Sequence, residues 1–207
     1  MLTSLMLLAV LLASPIPTPL HASPQLHTIQ PRIPQTDTPP IPAARAADSY
    51  AIYALLLPGA PADKLAHANS MHWVVAASTV NITDMDPAIP PDGLLKAPDG
   101  DRQAFEQAVA DYQARKYQRY QLQTGPDRFD TNIPLADAEE VSNIRHAATG
   151  SHGIVFFSAV YFNRSRTAAL VYVNDWCANL CAAGQWVYLE KHGGQWVRRS
   201  GLVSGGG

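Results

Sequence analysis

Apolar positions recur at spacings of three and four in three segments of the chain, 48–57, 101–122 and 135–146. This periodicity predicts three amphipathic helices, and the second segment carries the strongest pattern. A fourth segment, 72–82, is rich in β-branched residues and is apolar on both faces. It predicts a buried strand between the first two helices.

In the last third of the chain the pattern changes to four short segments of strand type, 154–162, 167–174, 185–191 and 195–200. The connections between them are short, and connections of that length join antiparallel neighbours. We therefore predict an α+β domain with N-terminal helices packed on a C-terminal four-stranded antiparallel meander. The segment 72–82 is the candidate for one additional strand.

The first 46 residues differ in composition from the rest of the chain. The apolar run from Leu5 to Ala13 is too short to span a bilayer, which takes about 20 residues, and it resembles a secretory signal sequence. The residues after it are rich in proline, which removes backbone donors and favours an extended chain. We predict a signal peptide at 1–22, a proline-rich linker at 23–46 and a single α+β domain at 47–204. An uncleaved N-terminal anchor is the alternative to cleavage.

The charge of the chain limits its partners. Its formal net charge is -2, whereas binding to nucleic acid or to an anionic membrane needs a concentrated basic face. We expect no nucleic-acid partner and no integral membrane span in the mature protein. The sequence is compatible with either a protein partner or a small-molecule ligand. The sequence contains no recognisable cofactor motif, so no cofactor and no metal are predicted.

The only two cysteines, Cys177 and Cys181, are four positions apart. A thioredoxin-type redox pair is C-x-x-C at the start of a helix, whereas this pair follows a predicted strand. A structural zinc ion takes four ligands, which would require two of His146, His152 and His192 to converge on the cysteines. In an exported protein an oxidised pair is the default. We therefore predict a disulfide, with a redox or a metal site as the alternatives.

Four side chains are candidates for a pocket between helix and sheet: Glu190, Ser158, His152 and Tyr172. Glu190 is an acid within an apolar strand segment, and a buried acid must be paired or have a raised pKa. Ser158 lies inside an apolar run, where a hydrogen-bonded core hydroxyl is the simpler interpretation. His152 follows Ser151 between glycines, without the strand-to-helix elbow of serine hydrolases. No catalytic residue is assigned.

Four motifs near the C-terminus resemble the hallmark of a family of uncharacterised, exported bacterial proteins of similar domain size. They are S-x-V-x-F-N from Ser158, T-x-A-L-V-Y-V from Thr167, C-x3-C-x2-G from Cys177 and L-E-K-x-x-G-x-W from Leu189. The early YAIYALLL sequence also resembles the first helix of that family. The resemblance implies export and an ordinary folded domain, and it brings no known activity.

These patterns favour a periplasmic or secreted binding or interaction module, stabilised by a Cys177–Cys181 disulfide, over an enzyme. One alternative is a small exported hydrolase or lyase, in which Glu190, Ser158 and His152 would converge on a pocket between helix and sheet. A second alternative is a thiol-redox or metal-handling protein that uses the cysteines and a histidine. A binding module should present an exposed apolar patch.

The disulfide can be tested on protein expressed with export to the periplasm. We expect no titratable thiol and an intact mass lower by two hydrogens than that of the reduced chain, because this compartment favours oxidation. Thiol titration under denaturing conditions and intact-mass spectrometry measure both quantities. Two free thiols, or a metal ion retained through purification, would contradict the disulfide.

Overall fold

The computed structural model describes residues 38–58, 72–85, 88–147, 152–177 and 182–200. The helices in these residues are α1 (Ala43–Leu56), α2 (Pro91–Leu94), α3 (Arg102–Arg115) and α4 (Ala138–His146). The strands are β1 (His72–Ala76), β2 (Leu135–Ala136), β3 (His152–Phe157), β4 (Tyr161–Phe162), β5 (Ala168–Trp176), β6 (Ala182–His192) and β7 (Gln195–Arg198). None of these helices is long and apolar enough to cross a membrane.

The seven described strands form one mixed sheet in the order β2-β1-β3-β5-β6-β7, with β4 also paired to β5. β1 is parallel to both β2 and β3, and the other pairs are antiparallel. The predicted four-stranded antiparallel meander is therefore wrong. The segment 72–82 supplies β1 through a long crossover, which parallel pairing requires. The short C-terminal connections, from which the meander was predicted, do not indicate that β1 pairs in parallel with β2 and β3.

The predicted strand 154–162 is interrupted at Ser158, so that β3 and β4 pair with different parts of β5. The Ser158 amide donates to the carbonyl of Tyr172 (2.9 Å), but the Tyr172 amide donates to the Ser158 hydroxyl oxygen (2.9 Å). A side-chain oxygen thus replaces a backbone acceptor in the ladder, which is a local irregularity of the β-bulge kind. An apolar run that contains one serine does not reveal this break.

The helices begin and end at positions that differ from the sequence prediction. α1 begins at Ala43, five residues earlier than predicted, because Pro42 precedes its first turn, where a missing N–H costs nothing. α3 begins after Asp101, whose carboxylate accepts the Ala104 amide, and ends seven residues before the predicted 122. α4 begins after Asp137 in the same way, and the preceding two residues form β2 instead of helix.

α1 and α3 pack on opposite faces of the sheet. On one face Tyr53 of α1 stacks on Phe157, with ring centroids 4.7 Å apart. On the other, Tyr112 of α3 meets Trp186 edge to face at 5.3 Å. Phe157 is the register partner of Val173, and Trp186 is the register partner of Tyr172. Val173 and Tyr172 are neighbours on β5, and neighbouring residues of a strand point to opposite faces, so Phe157 and Trp186 lie on opposite faces of the sheet.

α4 covers the α3 side of the sheet near β1 and β3. There Val74, Ala76 and Ile154 form a small buried cluster with Ala136, against which Val141 and Ile144 of α4 pack. The remaining buried apolar residues form one larger core that includes both α1 and α3. Those two helices thus share a core although the sheet lies between them, and they meet where the sheet ends at β4.

Gly153 is required by the parallel pairing of β1 with β3. It is the register partner of Trp73, and a Cβ added at Gly153 would lie 2.4 Å from two indole carbons. A methyl group at that distance must displace the indole ring or separate the strands. The absence of a side chain therefore lets the tryptophan lie flat across the neighbouring strand.

Gly153→Ala should lower the free energy of unfolding by about 1–3 kcal/mol, the usual cost of overpacking. Urea denaturation measures it. Gly100→Ala is the matched control, because a Cβ there meets nothing within 4 Å, and its effect should stay within about 0.5 kcal/mol. Adding Trp73→Ala to Gly153→Ala should abolish the incremental cost of the methyl group. Equal costs for Gly153→Ala with and without Trp73 would contradict the proposed contact.

Candidate functional site

Ser158 is a structural hydroxyl. The residue is fully buried, and its hydroxyl donates to the carbonyl of Ala159 (2.8 Å) while it accepts the Tyr172 amide. Its own carbonyl accepts the Tyr53 hydroxyl at 2.9 Å. With its oxygen engaged in the ladder and closed off from solvent, Ser158 has no position from which to attack a substrate.

Tyr172 is also a packing residue, and it explains the glycine of the C-x3-C-x2-G motif. Its ring meets Trp186 edge to face at 5.6 Å. Its phenol oxygen lies over Gly184, where an added Cβ would be 1.8 Å from that oxygen. The Asn174 amide donates to the same phenol at 3.4 Å. Gly184, the register partner of Asn174, therefore makes room for the tyrosine two positions earlier on the neighbouring strand.

Glu190 and His152 lie at opposite ends of the sheet. Glu190 is the register partner of Ala168, and His152 begins β3, whose residue Ile154 pairs with Trp176. The eight positions from Ala168 to Trp176 correspond to roughly 26 Å along a strand. The four candidate pocket residues, Glu190, Ser158, His152 and Tyr172, therefore do not converge on one site.

Glu190 itself lines a polar cavity of about 320 Å³ at the end of β6 and β7. Its side chain is 14% exposed, and its carboxylate lies 3.2 Å from His192 and 3.9 Å from Arg199. A structural role for Glu190, as an acid paired with cations at the end of a strand, accounts for these contacts.

Three charged side chains join α1 to α3 in what we call the arginine clamp: Arg45, Asp111 and Arg115. The Asp111 carboxylate accepts from Arg45 at 2.6 Å and from Arg115 through two nitrogens at 2.7 and 2.9 Å. The guanidinium of Arg45 lies over the Phe162 ring, and that of Arg115 lies over the Tyr161 ring. Each guanidinium therefore has both an ionic partner and an aromatic face.

The arginine clamp surrounds the outer edge of β4. The Phe162 amide donates to Asp111 at 2.8 Å, and the Val160 carbonyl accepts from Arg45 (3.0 Å) and Arg115 (2.8 Å). These backbone groups point away from β5, where an edge strand would otherwise expose them. The side chains of two helices thus replace the missing neighbouring strand.

The clamp also determines the ionisation of Asp111. Burial by itself would raise the pKa of this carboxyl group. The hydrogen bonds from Arg115 and Arg45, together with their charges, outweigh burial and hold the pKa below its ordinary value of 3.8. Asp111 is therefore ionised at neutral pH, and the clamp carries a net positive charge.

An open groove of about 540 Å³ lies beside the clamp. Three of its lining residues are arginines, Arg45, Arg164 and Arg166, and Gln107 and Asn163 add polar groups. We call it the basic groove. Its volume falls within the range of small-molecule sites, about 300–1,000 Å³.

The turn that carries Arg164 and Arg166 is held in a defined shape. The Asn163 side-chain oxygen accepts the amides of Thr167 (2.8 Å) and Ala168 (3.0 Å). Arg166 has a φ of 54°, a left-handed conformation that costs about 1–2 kcal/mol for a residue with a Cβ. Its guanidinium donates to the carbonyl of Ala44 at the start of α1. The turn thus places Arg166 against the first turn of that helix, and Arg164 lines the same groove.

The charge around the groove is unbalanced although the chain as a whole is slightly acidic. The groove and the ion pairs that adjoin it contain five cationic side chains and two carboxylates: Arg45, Arg115, Arg164, Arg166 and Lys191 with Asp48 and Asp111. The Arg164 side chain makes no hydrogen bond or ion pair with the described part of the chain. An oxyanion in the groove would meet a free guanidinium and the positive end of the α1 dipole.

Sequence reasoning missed this groove. One signal was available, since Asp111 and Arg115 are spaced i, i+4 on a predicted helix, where opposite charges pair. Arg45 lies in the predicted proline-rich linker, and Arg164 and Arg166 lie in the short connection between two predicted strands. Nothing local indicates that these three arginines meet.

The cysteine prediction lies only partly within the described residues. Cys177 follows the end of β5, whereas Cys181 lies outside the described residues, so their pairing stays a prediction. No free cysteine occurs in the described ranges. Those ranges also contain no group of three or more side chains suited to hold a metal ion.

The exposed apolar patch expected of a binding module is not found in the parts of the chain that the structure describes. The large hydrophobic side chains exposed there are Tyr117, after the end of α3, and Val197 on β7. Single exposed side chains of this kind are normal on a soluble protein surface. The basic groove is therefore a stronger candidate for a binding site than any apolar surface described.

Comparison of the chain with models of protein families, with curated proteins and with solved structures finds no match. The resemblance of the C-terminal motifs to an exported bacterial family therefore stays a prediction.

Asp111→Asn should lower the free energy of unfolding by about 2–3 kcal/mol at pH 7, because it leaves two arginines without their carboxylate. The three clamp side chains are 13–23% exposed, so the loss is smaller than for a fully buried pair. Because the pKa of Asp111 is lowered in the folded state, its contribution is complete above about pH 4 and disappears as the pH falls further. Urea denaturation between pH 7 and pH 2.5 measures both effects.

The control for this substitution is Asp99→Asn, an exposed carboxylate, which should change stability by less than about 0.5 kcal/mol. Wild type and Asp111→Asn should converge in stability at the acidic end of the titration. A gap of constant size at all pH values would mean that the charge of Asp111 does not hold the clamp.

Proposed function

We propose that the protein is a non-enzymatic binding module that holds a small oxyanion, a carboxylate or phosphate group, in the basic groove. The observation that carries the proposal is the convergence of Arg45, Arg164 and Arg166 on one open groove. Arginine presents a planar set of donors that matches the two oxygens of a carboxylate or phosphate.

The three arginines have different parts in this proposal. Arg45 is oriented by Asp111 and by the Phe162 ring, and Arg166 by its contacts with Ala44 and Asp48 (3.8 Å). Arginines fixed in this way lose little conformational entropy when a ligand binds. Arg164 is exposed, and its guanidinium makes no hydrogen bond or ion pair within the described ranges, so it can form a new bidentate contact. The ligand therefore forms one new strong contact, with Arg164, in the positive electrostatic potential of Arg45 and Arg166.

The hydrolase or lyase alternative has less support. It requires an acid, a nucleophile and a base within hydrogen-bonding distance of one substrate. Glu190 and His152 lie at different ends of the sheet, and the Ser158 hydroxyl is engaged in the ladder. The basic groove offers positive charge and donors, and its one lining carboxylate, Asp111, is held ionised by two arginines.

Export and the Cys177–Cys181 disulfide belong to the same proposal. The N-terminal apolar run and the C-terminal motifs support a periplasmic or secreted location. The thiol-redox or metal-handling alternative would require reduced cysteines, which the compartment disfavours.

The proposal is tested by calorimetric titration of the exported chain with inorganic phosphate and with citrate, each at low ionic strength. At least one of these anions should bind, and added sodium chloride should weaken it, because salt screens exposed charges. Arg164→Gln should lower the affinity about tenfold or more through the loss of a charge-assisted contact. Glucose, which has no charge, should not bind.

Arg128→Gln is the matched control, since Arg128 is exposed on another part of the surface and contacts Gln123. It should leave anion affinity unchanged. Failure of both anions to bind the wild type, or equal losses in the two arginine variants, would contradict a specific oxyanion site at the groove.

A further inference from the structure

Two histidines meet at the end of the parallel strand pair, away from the basic groove. His72 begins β1 and His152 begins β3, and the two are register partners. Both are exposed, and their ring centroids are 5.7 Å apart with an interplanar angle of 38°. Because the strands are parallel and the residues are paired, both side chains leave the same face of the sheet at the same height.

This separation suits a shared metal ion. Zn²⁺ binds imidazole nitrogen at about 2.0–2.1 Å, which places the ring centre about 3.2 Å from the ion. Two imidazoles around one tetrahedral ion then have their centres about 5.2 Å apart. The observed 5.7 Å differs from this by an amount that small side-chain rotations remove.

From this geometry we infer that His72 and His152 form a two-imidazole chelate for a divalent transition metal ion of the Zn²⁺ class. Imidazole is the common protein ligand of Zn²⁺, Ni²⁺ and Cu²⁺, and it does not suit Mg²⁺ or Ca²⁺. The two histidines supply two ligands, and water fills the remaining positions. Such an ion would connect β1 to β3, whose paired histidines are eighty positions apart in the sequence.

The side chains around the pair are compatible with an exposed chelate. On β3 the next residue is Gly153, and on β1 it is Trp73, whose ring covers that glycine. Because neighbouring residues of a strand point to opposite faces, the Trp73 ring lies on the other face of the sheet and does not cover the imidazoles. Cys177 follows Trp176, the register partner of Ile154, so it lies at the same end of the sheet as His152. The two imidazoles are the protein ligands of the proposed ion, and the cysteine is not one of them.

The test uses the full exported chain without a histidine tag, titrated with Zn²⁺ by calorimetry. We expect one ion per chain, and a melting temperature that rises with Zn²⁺ because the ion binds the folded state. His72→Gln and His152→Gln should each lower the affinity by about tenfold or more, since a single imidazole cannot chelate. Mg²⁺ at the same concentration should produce neither effect.

His146→Gln and His192→Gln are the matched controls, because both histidines are exposed on other elements. They should retain the affinity and the thermal shift of the wild type. Cys177→Ser should retain them also. The inference is overturned if the wild type binds no Zn²⁺, if binding survives both His72→Gln and His152→Gln, or if Cys177→Ser alone abolishes it. None of these outcomes bears on the oxyanion site, which is measured with different probes.

Discussion

A short strand at the end of a sheet has backbone donors and acceptors that no other strand satisfies. In this protein β4 consists of two residues, Tyr161 and Phe162. The outer amide of Phe162 donates to Asp111, and the carbonyl of Val160, just before the strand, accepts from Arg45 and Arg115. These contacts are charge-assisted, so they are stronger than the neutral backbone bonds that they replace. They also bring together two helices that the sheet would otherwise keep apart. The common core of α1 and α3 depends on this arrangement.

The same contacts connect the architecture to the proposed binding site. Arg45 belongs to the clamp and also lines the basic groove, so its position is fixed before any ligand arrives. The turn that follows β4 adds Arg164 and Arg166, and the Asn163 side chain determines its shape. A site built on an edge strand, a helix end and a braced turn is preorganised, which reduces the entropy lost on binding.

What the sequence could predict was local. The middle of α3 follows from a periodicity within one segment, and the apolar C-terminal segments do lie in strands. The parallel pairing of β1 joins residues far apart in the chain, and no local pattern records such a pairing. The hydroxyl of Ser158 interrupts a strand only because the Tyr172 amide lies opposite to it. The basic groove combines Arg45, from a proline-rich segment, with two arginines of a turn.

The pairing pattern of the sheet also has a consequence for the order in which it forms. β5, β6 and β7 are joined by short connections, so their contacts cost little loop-closure entropy and can form early. The pairing of His72 with His152 closes a loop of eighty positions, and its favourable interactions form only after both strands are in place. β1 should therefore dock late, onto a C-terminal sheet that already exists. β1 would then detach early when the protein begins to unfold.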